Sequence, residues 1–351
     1  MSGPLGPALR AAVIGAGTMG RNHARVWDES VPGVELVGVA DPDRDAATRA
    51  THGRQARPYA DAAELLERER PDLVSVATPT SQHLETTLAA LAAGAHVLVE
   101  KPIAATRDEA ERMIAAAAAA GRLLTVGHIE RFNPAIRELR RRLAAGELGR
   151  IYKIHATRLG PFPARIRDVG VVVDLAPHDL DVMRYLLDSD PVRLYAETER
   201  RIHTDHEDLF VGFVKFANGA IGLLDINWLT PTKRRILTVT GERGMYVADY
   251  LAQDLVFYAN PDAERTWRPA DDGHTPAAIT VSEGEMTRRR VDRQEPLVVE
   301  LAEFAAAVRG GGPAPVDPHQ AMVALLLARA MVDAANRGRV VSGAELEAVL
   351  A

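Results

Sequence analysis

The sequence predicts an α/β chain, with a doubly wound parallel sheet first and an α+β domain on an antiparallel sheet after it. Three observations carry this. Residues 8–128 alternate short apolar runs with helical patterns. Gly15-x-Gly17-x-x-Gly20 stands between the first such run and the first helical pattern. After about residue 130, consecutive alternating strands with turn signals replace the β-then-α order. At 351 residues, 47% of them apolar, the chain has length for two domains of ~150 residues each. The expected division is 1–130 and 131–351.

"LRAAVIGAG" reads as the first strand, "TMGRNHARVWDE" as a helix and "VELVGVADP" as the second strand. "PDLVSVATP" and "AHVLVEKP" read as later buried strands, with helices such as "SQHLETTLAALAAG" between them. "RDEAERMIAAAAAAGR" is an Ala-rich helix closed by Gly121, and "RLLTVGHI" returns to the sheet. In the second part, "EDLFVGFVKFANGAIGLLDINWL" predicts a hairpin, because Asn218-Gly219 supplies the positive φ angles of a tight turn. "RRILTVTGERGMYVADY" predicts another, turning at Gly241 to Gly244. Residues 259–295 read as a long loop or weakly paired edge strands, and "PHQAMVALLLARAMVDAANRGR" as an amphipathic helix closing the second domain.

Composition narrows the function. Forty-two Lys and Arg against 48 Asp and Glu leave no basic footprint, so a small-molecule partner is expected rather than nucleic acid. The absence of cysteine excludes disulfides, thiolate nucleophiles and Cys-bound zinc, and agrees with the reducing cytoplasm. "MSGPLGPALR" lacks a basic region followed by an apolar stretch, and "AMVALLLARAMV" is interrupted by Arg329, short of the ~20 apolar residues of a membrane span. Neither secretion nor membrane insertion is expected.

The glycines divide the work of holding a dinucleotide: Gly15 allows the tight turn, Gly17 lets the backbone approach a pyrophosphate, and Gly20 brings helix and strand together. Thr18 and Met19 then open the helix whose N-terminus faces the phosphates. Asp41, 21 residues beyond Gly20 at the end of the second strand, is placed to bind the ribose 2′-OH, which favours NAD. Arg44 just past it keeps NADP open. Thr78 and His83, in "ATPTSQH" at another strand end, are candidates to line the cofactor, although helix capping by Thr80 or Ser81 explains the same segment.

"DLAPHDLDVMRYLL" sets Asp174 and His178 four residues apart, on one face of a helix. A carboxylate beside an imidazole fixes its tautomer and raises its basicity. One reading is a general acid/base, with His178 taking a hydroxyl proton; the other is a capping aspartate with a structurally bonded histidine. Pro177 is tolerated on the expectation that the helix begins close by. Asp179 and Asp181 are expected to face the helix dipole from the first turn. "HTDHED" at 203–208 has ligand-like content, but it precedes a strand as an ordinary polar loop does, and no metal is expected.

With "GAGTMG", "VEKPIA", "VGHIERFNP" and "GVVVDLAPHDLD" in this order, the chain resembles the Gfo/Idh/MocA family of NAD(P)-dependent sugar and polyol oxidoreductases over nearly its whole length. The resemblance is carried above all by Glu100-Lys101-Pro102 and by the Asp174-x-x-x-His178 pair. It implies a Rossmann domain followed by an open, mostly antiparallel sheet, with Glu100 and Lys101 beside the cofactor. It further implies that Lys101 hydrogen-bonds the reacting hydroxyl and shares the proton relay, that Pro102 follows a cis bond, and that Asp174 and His178 are catalytic. "GHIERFNPAI" and "WLTPTKRRILTVTGERGMYVADY" are most similar to the subgroup that oxidises UDP-N-acetylglucosamine at C3.

Arg131 and Asn133 follow the sixth strand where the chain passes into the second domain, and are candidates to bind a sugar. Arg165 and Arg167, with Lys233, Arg234 and Arg235, are candidates for a diphosphate; for each arginine a solvated-surface reading stands beside this one. "RELRRRL" at 137–143 is assigned to a solvated helix face. The expected function is NAD-dependent oxidation of a secondary sugar hydroxyl, most specifically C3 of a UDP-N-acetylhexosamine. The alternatives are an inositol or other polyol dehydrogenase, an NAD-dependent glycosidase-like relative and a non-catalytic dinucleotide sensor. A homo-oligomer paired through the second sheet is expected.

Overall fold

The structure, a computed structural model, describes residues 7–163, 169–202, 205–260 and 284–350. Contacts divide the chain into two units, one comprising Met1–Phe132 and Gln294–Leu326, the other Asn133–Arg293 and Leu327–Ala351.

In the first unit, β1 (Leu9–Ile14), β2 (Val34–Ala40), β3 (Arg57–Tyr59), β4 (Leu73–Val76), β5 (His96–Glu100) and β6 (Leu124–Gly127) form a parallel sheet in the order β3-β2-β1-β4-β5-β6. This is the doubly wound order, with its reversal between β1 and β4. Ala12, Ile14, Val74, Val76, Val97 and Val99 pack on one face. Ala11, Val13, Val39, Leu73 and Leu98 pack on the other. Burial on both faces is why these strands read as continuous apolar runs. The three residues of β3 are too few to show a period, and the sequence reading does not contain it.

The expected continuous second domain over 131–351 is interrupted. The helix Pro296–Gly310 buries Leu297, Leu301 and Phe304 in the first unit, where the Phe304 ring lies 6.4 Å from that of Trp27. Its apolar stripe is visible in the sequence; which sheet the stripe covers is not. The helix Pro318–Arg337 likewise starts in the first unit and ends in the second, instead of belonging wholly to the second.

The second unit contains β7 (Ile151–Pro161), β8 (Pro191–Glu199), β9 (Leu209–Phe216), β10 (Ile221–Asn227), β11 (Leu229–Gly241), β12 (Gly244–Asp249), β13 (Asp254–Ala259), β14 (Met286–Arg289) and β15 (Val341–Ser342). Their order is β14-β13-β12-β11-β7-β10-β9-β8-β15, antiparallel except where β7 meets β10. Both hairpins form. At the first, only Gly219 takes a positive φ (+90°), and Asn218 instead accepts the Ala220 N–H through its side chain, so one left-handed residue suffices for this longer turn. At the second, Gly241 pairs with Gly244 across two residues.

The helix Val171–Leu187 packs on this sheet through Val182, Met183 and Leu186. Gly222 makes the approach possible, since a Cβ there would lie 3.2 Å from Met183 Sδ. On the opposite sheet face, Tyr195, Phe213 and Leu223 lie in register. Phe213 and Ile221 are exposed.

Candidate active site

In the first unit the loop after β1 has the geometry its glycines require. Gly15 adopts φ +99°, and a Cβ on it would lie 2.5 Å from the Ala77 carbonyl oxygen, so the loops after β1 and β4 touch at the sheet's reversal point. A Cβ on Gly20 would fall 1.7 Å from the Gly15 oxygen; no other residue lets the helix Thr18–Glu29 start so close to the strand. Around Gly17, by contrast, nothing lies within 4 Å of that position.

Gly17 is also the N-cap of this helix, which has neither a side-chain cap nor an acidic residue in its first turn. The N–H groups at Thr18 and Met19 therefore head a positive helix end open to an anion. Asp41 reaches back to the loop, its carboxylate accepting from Ala16 N (2.7 Å) and Asp43 N (2.9 Å). Thr78 Oγ1 is buried without a hydrogen-bond partner among the described residues. An uncapped helix end, space over Gly17 and an orphaned hydroxyl at the reversal point fit a bound dinucleotide.

His83 does not line that space. It is buried, with Nδ1 2.9 Å from the Pro102 oxygen and Nε2 3.0 Å from the Thr78 oxygen. Burial pushes its imidazole below the usual histidine range, against the opposing pull of those carbonyls. The ring ties the 78–83 segment to the Pro102 carbonyl, one peptide past the cis Lys101–Pro102 bond. Its place in "ATPTSQH" at a strand end suggested the cofactor; the backbone it braces is invisible in sequence.

Glu100 closes β5 with Oε1 2.8 Å from His23 Nε2 and Oε2 accepting from Lys101 N at 3.3 Å. Burial opposes its charge, yet the hydrogen bond from His23 and the charge of Lys101 hold it below the usual glutamate range. His23 is missing from the sequence reading. It lies three residues past Gly20, on the face that packs against the sheet, and that periodicity is the signal that exposes it.

In the second unit, Asp174 and His178 lie on one continuous helix at the expected spacing. The helix begins at Val171 rather than near Asp174. Pro177 is therefore in its second turn, where its missing N–H leaves the position-173 carbonyl without its helical donor. Gly170 at the N-cap offers no side chain, and Glu207 substitutes: its Oε1 accepts from Val172 N at 3.2 Å and its carbonyl from Val171 N at 2.9 Å. Asp179 is not a first-turn acid. It is 1% exposed and paired bidentately with Arg158 of β7. Asp181 is also buried.

Within "HTDHED", Glu207 caps the helix, and Asp208 accepts from the N–H groups of Arg201 and Ile202. Residues 203 and 204 lie outside the described residues, as do Arg165 and Arg167.

A cavity of about 310 Å³ in this unit is lined by Asp174, Arg158, Lys233, Arg235, Asn227 and the edge-to-face pair Phe162 and Trp228, among others. Lys233 and Arg235 thus share a cavity with Asp174, while Arg234 does not line it. Arg131 is buried in the short turn Ile129–Phe132 of the first unit. Asn133 has a structural role: its Oδ1 accepts from Ala135 N, its Nδ2 donates to the Tyr250 oxygen, and it caps the helix Pro134–Ala144. Asn followed by Pro is the N-cap and first-turn signature, a local signal outweighed by the segment's position after β6. "RELRRRL" is less solvated than expected, since Arg140 stacks on the Tyr185 ring and Arg142 pairs with Glu138 and Glu147.

Residues 9–128 match the model of an oxidoreductase family with an NAD-binding Rossmann fold, and residues 136–247 match the GFO/IDH/MocA C-terminal domain. UDP-N-acetylglucosamine 3-dehydrogenase of Acidithiobacillus ferrooxidans is 32% identical over 250 residues, covering 71% of this chain and 77% of that one. Inositol 2-dehydrogenase 2 of Saccharopolyspora erythraea is 35% identical over 196 residues, covering 55% and 58%. Among solved structures, UDP-N-acetylglucosamine 3-dehydrogenase GnnA from Acidithiobacillus ferrooxidans superposes with a TM-score of 0.81 at 27% identity, covering 94% of this chain and 98% of that one. The first unit is an NAD-binding domain. Among the described residues no helix is long and apolar enough to cross a membrane.

Proposed function

Because the chain belongs to the Gfo/Idh/MocA family and is an NAD-dependent dehydrogenase of sugars or polyols, we propose that its substrate is a UDP-N-acetylhexosamine, oxidised at the C3 hydroxyl to a ketone. The observation that carries this reading is the cavity in which Lys233 and Arg235 accompany Asp174. Two cations suit a diphosphate, and guanidinium binds phosphate oxygens bidentately. The similarity to a UDP-N-acetylglucosamine 3-dehydrogenase over 71% of the chain supports it.

Bound NAD supplies the hydride acceptor. His178 takes the hydroxyl proton as the C–H electron pair leaves and the carbon–oxygen double bond forms, and Asp174, one turn earlier, stabilises the resulting imidazolium. Lys101 is assigned to the reacting hydroxyl by the family resemblance, on sequence alone. Thr18 and Met19 would hold the pyrophosphate with their N–H groups and Asp41 would receive the ribose hydroxyls; Arg131 is assigned to the sugar on sequence alone. Arg165 and Arg167 are assigned to the diphosphate on sequence alone.

The protein given NAD or NADP and, in turn, UDP-N-acetylglucosamine, UDP-glucose and myo-inositol should reduce NAD with UDP-N-acetylglucosamine. Reduction with myo-inositol alone overturns the reading. A polyol substrate is the second reading, favoured by the inositol 2-dehydrogenase relative. Joint Lys233→Ala and Arg235→Ala substitution separates the two: it should raise KM for a nucleotide sugar about tenfold to a hundredfold and leave KM for an inositol unchanged.

The exposed Phe213 and Ile221 beside Tyr195 and Leu223 form an apolar strip on the sheet face away from the helix, and a second copy of this chain is its proposed cover. Phe213→Lys should lower the mass measured by light scattering; a wild-type monomer overturns this assignment.

A further inference from the structure

Four side chains of the first unit run in one line from its interior to the end of β5. Trp27 Nε1 donates to Ser75 Oγ at 2.8 Å, Ser75 Oγ lies 3.1 Å from His23 Nδ1, and His23 Nε2 lies 2.8 Å from Glu100 Oε1. His23 and Ser75 are wholly buried, as is Trp27. The far oxygen of Glu100 accepts from Lys101 N. Gly127 on the neighbouring strand lies against this carboxylate, since a Cβ there would stand 3.1 Å from Oε2.

An indole N–H only donates, so one lone pair of Ser75 Oγ is always occupied by Trp27. The remaining contact of the hydroxyl, His23 Nδ1, is the acceptor its own hydrogen needs. Nδ1 is then the unprotonated nitrogen, and the ring proton sits on Nε2, pointing at Glu100. The opposite tautomer would set the Nε2 lone pair against a carboxylate oxygen at 2.8 Å. A doubly protonated ring would give Ser75 two donors and leave its hydrogen with no acceptor among the described residues. Only the neutral Nε2–H tautomer uses every donor in the line, and an unmet buried donor costs about 1–3 kcal/mol.

We propose that His23 is a positioning residue for Lys101: Ser75 at Nδ1 and Glu100 at Nε2 fix the imidazole as a neutral Nε2–H donor that clamps the Glu100 carboxylate onto the Lys101 backbone. This rests on the reading of Lys101 as catalytic. The groups facing Glu100 are His23 from its helix, Lys101 from its own strand and Glu300 from the helix Pro296–Gly310. Glu300 is 1% exposed, without a hydrogen-bond partner among the described residues, and held far above the usual glutamate range by burial and by the charges of Glu100 and Glu303. It is therefore the neutral member of the pair, and Glu100 the charged one.

The direct test needs no variant: imidazole nitrogen NMR of the NAD-loaded protein at neutral pH. The inference requires a protonated Nε2 and an unprotonated Nδ1 at His23. An Nδ1–H tautomer or an imidazolium overturns it. In Trp27→Phe the Glu100 carboxylate still faces Nε2 at 2.8 Å, so the tautomer should persist; a switch to Nδ1–H overturns the assignment of Glu100 as the charged acceptor.

On activity, His23→Leu should lower kcat about a hundredfold, the loss expected when a catalytic group shifts by about an ångström, with KM for NAD nearly unchanged. The acid limb of its pH profile should move to higher pH, because Glu100 loses the donor that keeps it ionised. His23→Gln, which keeps an N–H near the Nε2 position, should restore most of kcat and the limb. Equal loss in both variants with the limb unmoved marks a merely structural histidine and overturns the proposal. A fully active Lys101→Ala enzyme would instead remove the premise about Lys101, a failure distinct from a wrong tautomer at His23.

Discussion

Arg158 and Asp179 form a bidentate ion pair, Nε to Oδ2 at 2.8 Å and Nη2 to Oδ1 at 2.9 Å, between β7 and the third turn of the helix that carries Asp174 and His178. Both side chains are almost entirely buried, 4% and 1% exposed. The pair sets the rotation of that helix on the sheet, and with it the face that Asp174 and His178 share. Two charges removed from water gain little net stability together, but either one alone is left uncompensated.

Asp179→Ala should therefore lower the unfolding free energy by about 3–5 kcal/mol, and Arg158→Met by a similar amount. The combination Arg158→Met with Asp179→Leu should recover most of the loss. Urea titration of the three variants checks this. If the double variant is no more stable than the single ones, the pair is not the coupled unit described.

Gly20 and Gly17 of the loop should fail in different ways. Gly20→Ala drives its Cβ to 1.7 Å from the Gly15 oxygen, so the strand and helix must part, and the unit should lose about 3 kcal/mol or more, as for severe overpacking. Gly17→Ala meets nothing within 4 Å and has a φ of −64° that alanine accepts. It should unfold within about 0.5 kcal/mol of wild type yet bind NAD at least tenfold more weakly, because the methyl occupies the space over the helix end. Denaturation and NAD titration on the same two proteins separate fold from ligand.

What the sequence made legible is what short-range geometry controls. A glycine that must approach a neighbouring carbonyl shows in the Gly15, Gly17 and Gly20 spacing, and a shared helix face shows in the interval from Asp174 to His178. Contacts across long sequence separations did not show. Glu207 caps a helix 35 residues earlier, and Arg158 meets Asp179 across 21. The start of that helix was read late because Val171, Val172 and Val173 are β-branched and locally favour a strand. His83 and Asn133 stand where ligand groups are expected, but their polar atoms are engaged by backbone from neighbouring segments. The return of residues 294–326 to the first unit was hidden for the same reason, since an apolar stripe carries no address.

Asp41 bears on the choice of cofactor. Its carboxylate already accepts from Ala16 N and Asp43 N, so it is held at the end of β2, where a 2′-phosphate would crowd against it. Asp41→Ser should weaken NAD and strengthen NADP, moving the ratio of their Kd values by about tenfold or more toward NADP, with Arg44 close by to receive the phosphate. Fluorescence titration with both reduced cofactors measures the ratio, and an unchanged ratio would show that Asp41 supports the loop without reading the ribose.

Glu300 gives the stability of the first unit a pH dependence of known sign. Burial raises its folded-state pKa well above the ordinary value of 4.5, and the Glu100 and Glu303 charges add to the shift. In the unfolded chain it ionises near that ordinary value. Above about pH 4.5 the unfolded state therefore releases a proton that the folded state keeps, and stability falls as pH rises by at most about 1.4 kcal/mol per unit until the folded-state pKa is reached. Below pH 4.5 the term vanishes. Glu300→Leu removes the titration together with a carboxyl that has no partner among the described residues, so at pH 7 it should raise stability by about 1–3 kcal/mol. The gain should shrink as pH is lowered toward 4.5. Urea midpoints across that range test it, and a gain independent of pH would mean that Glu300 is stabilised in the native protein as a charged group.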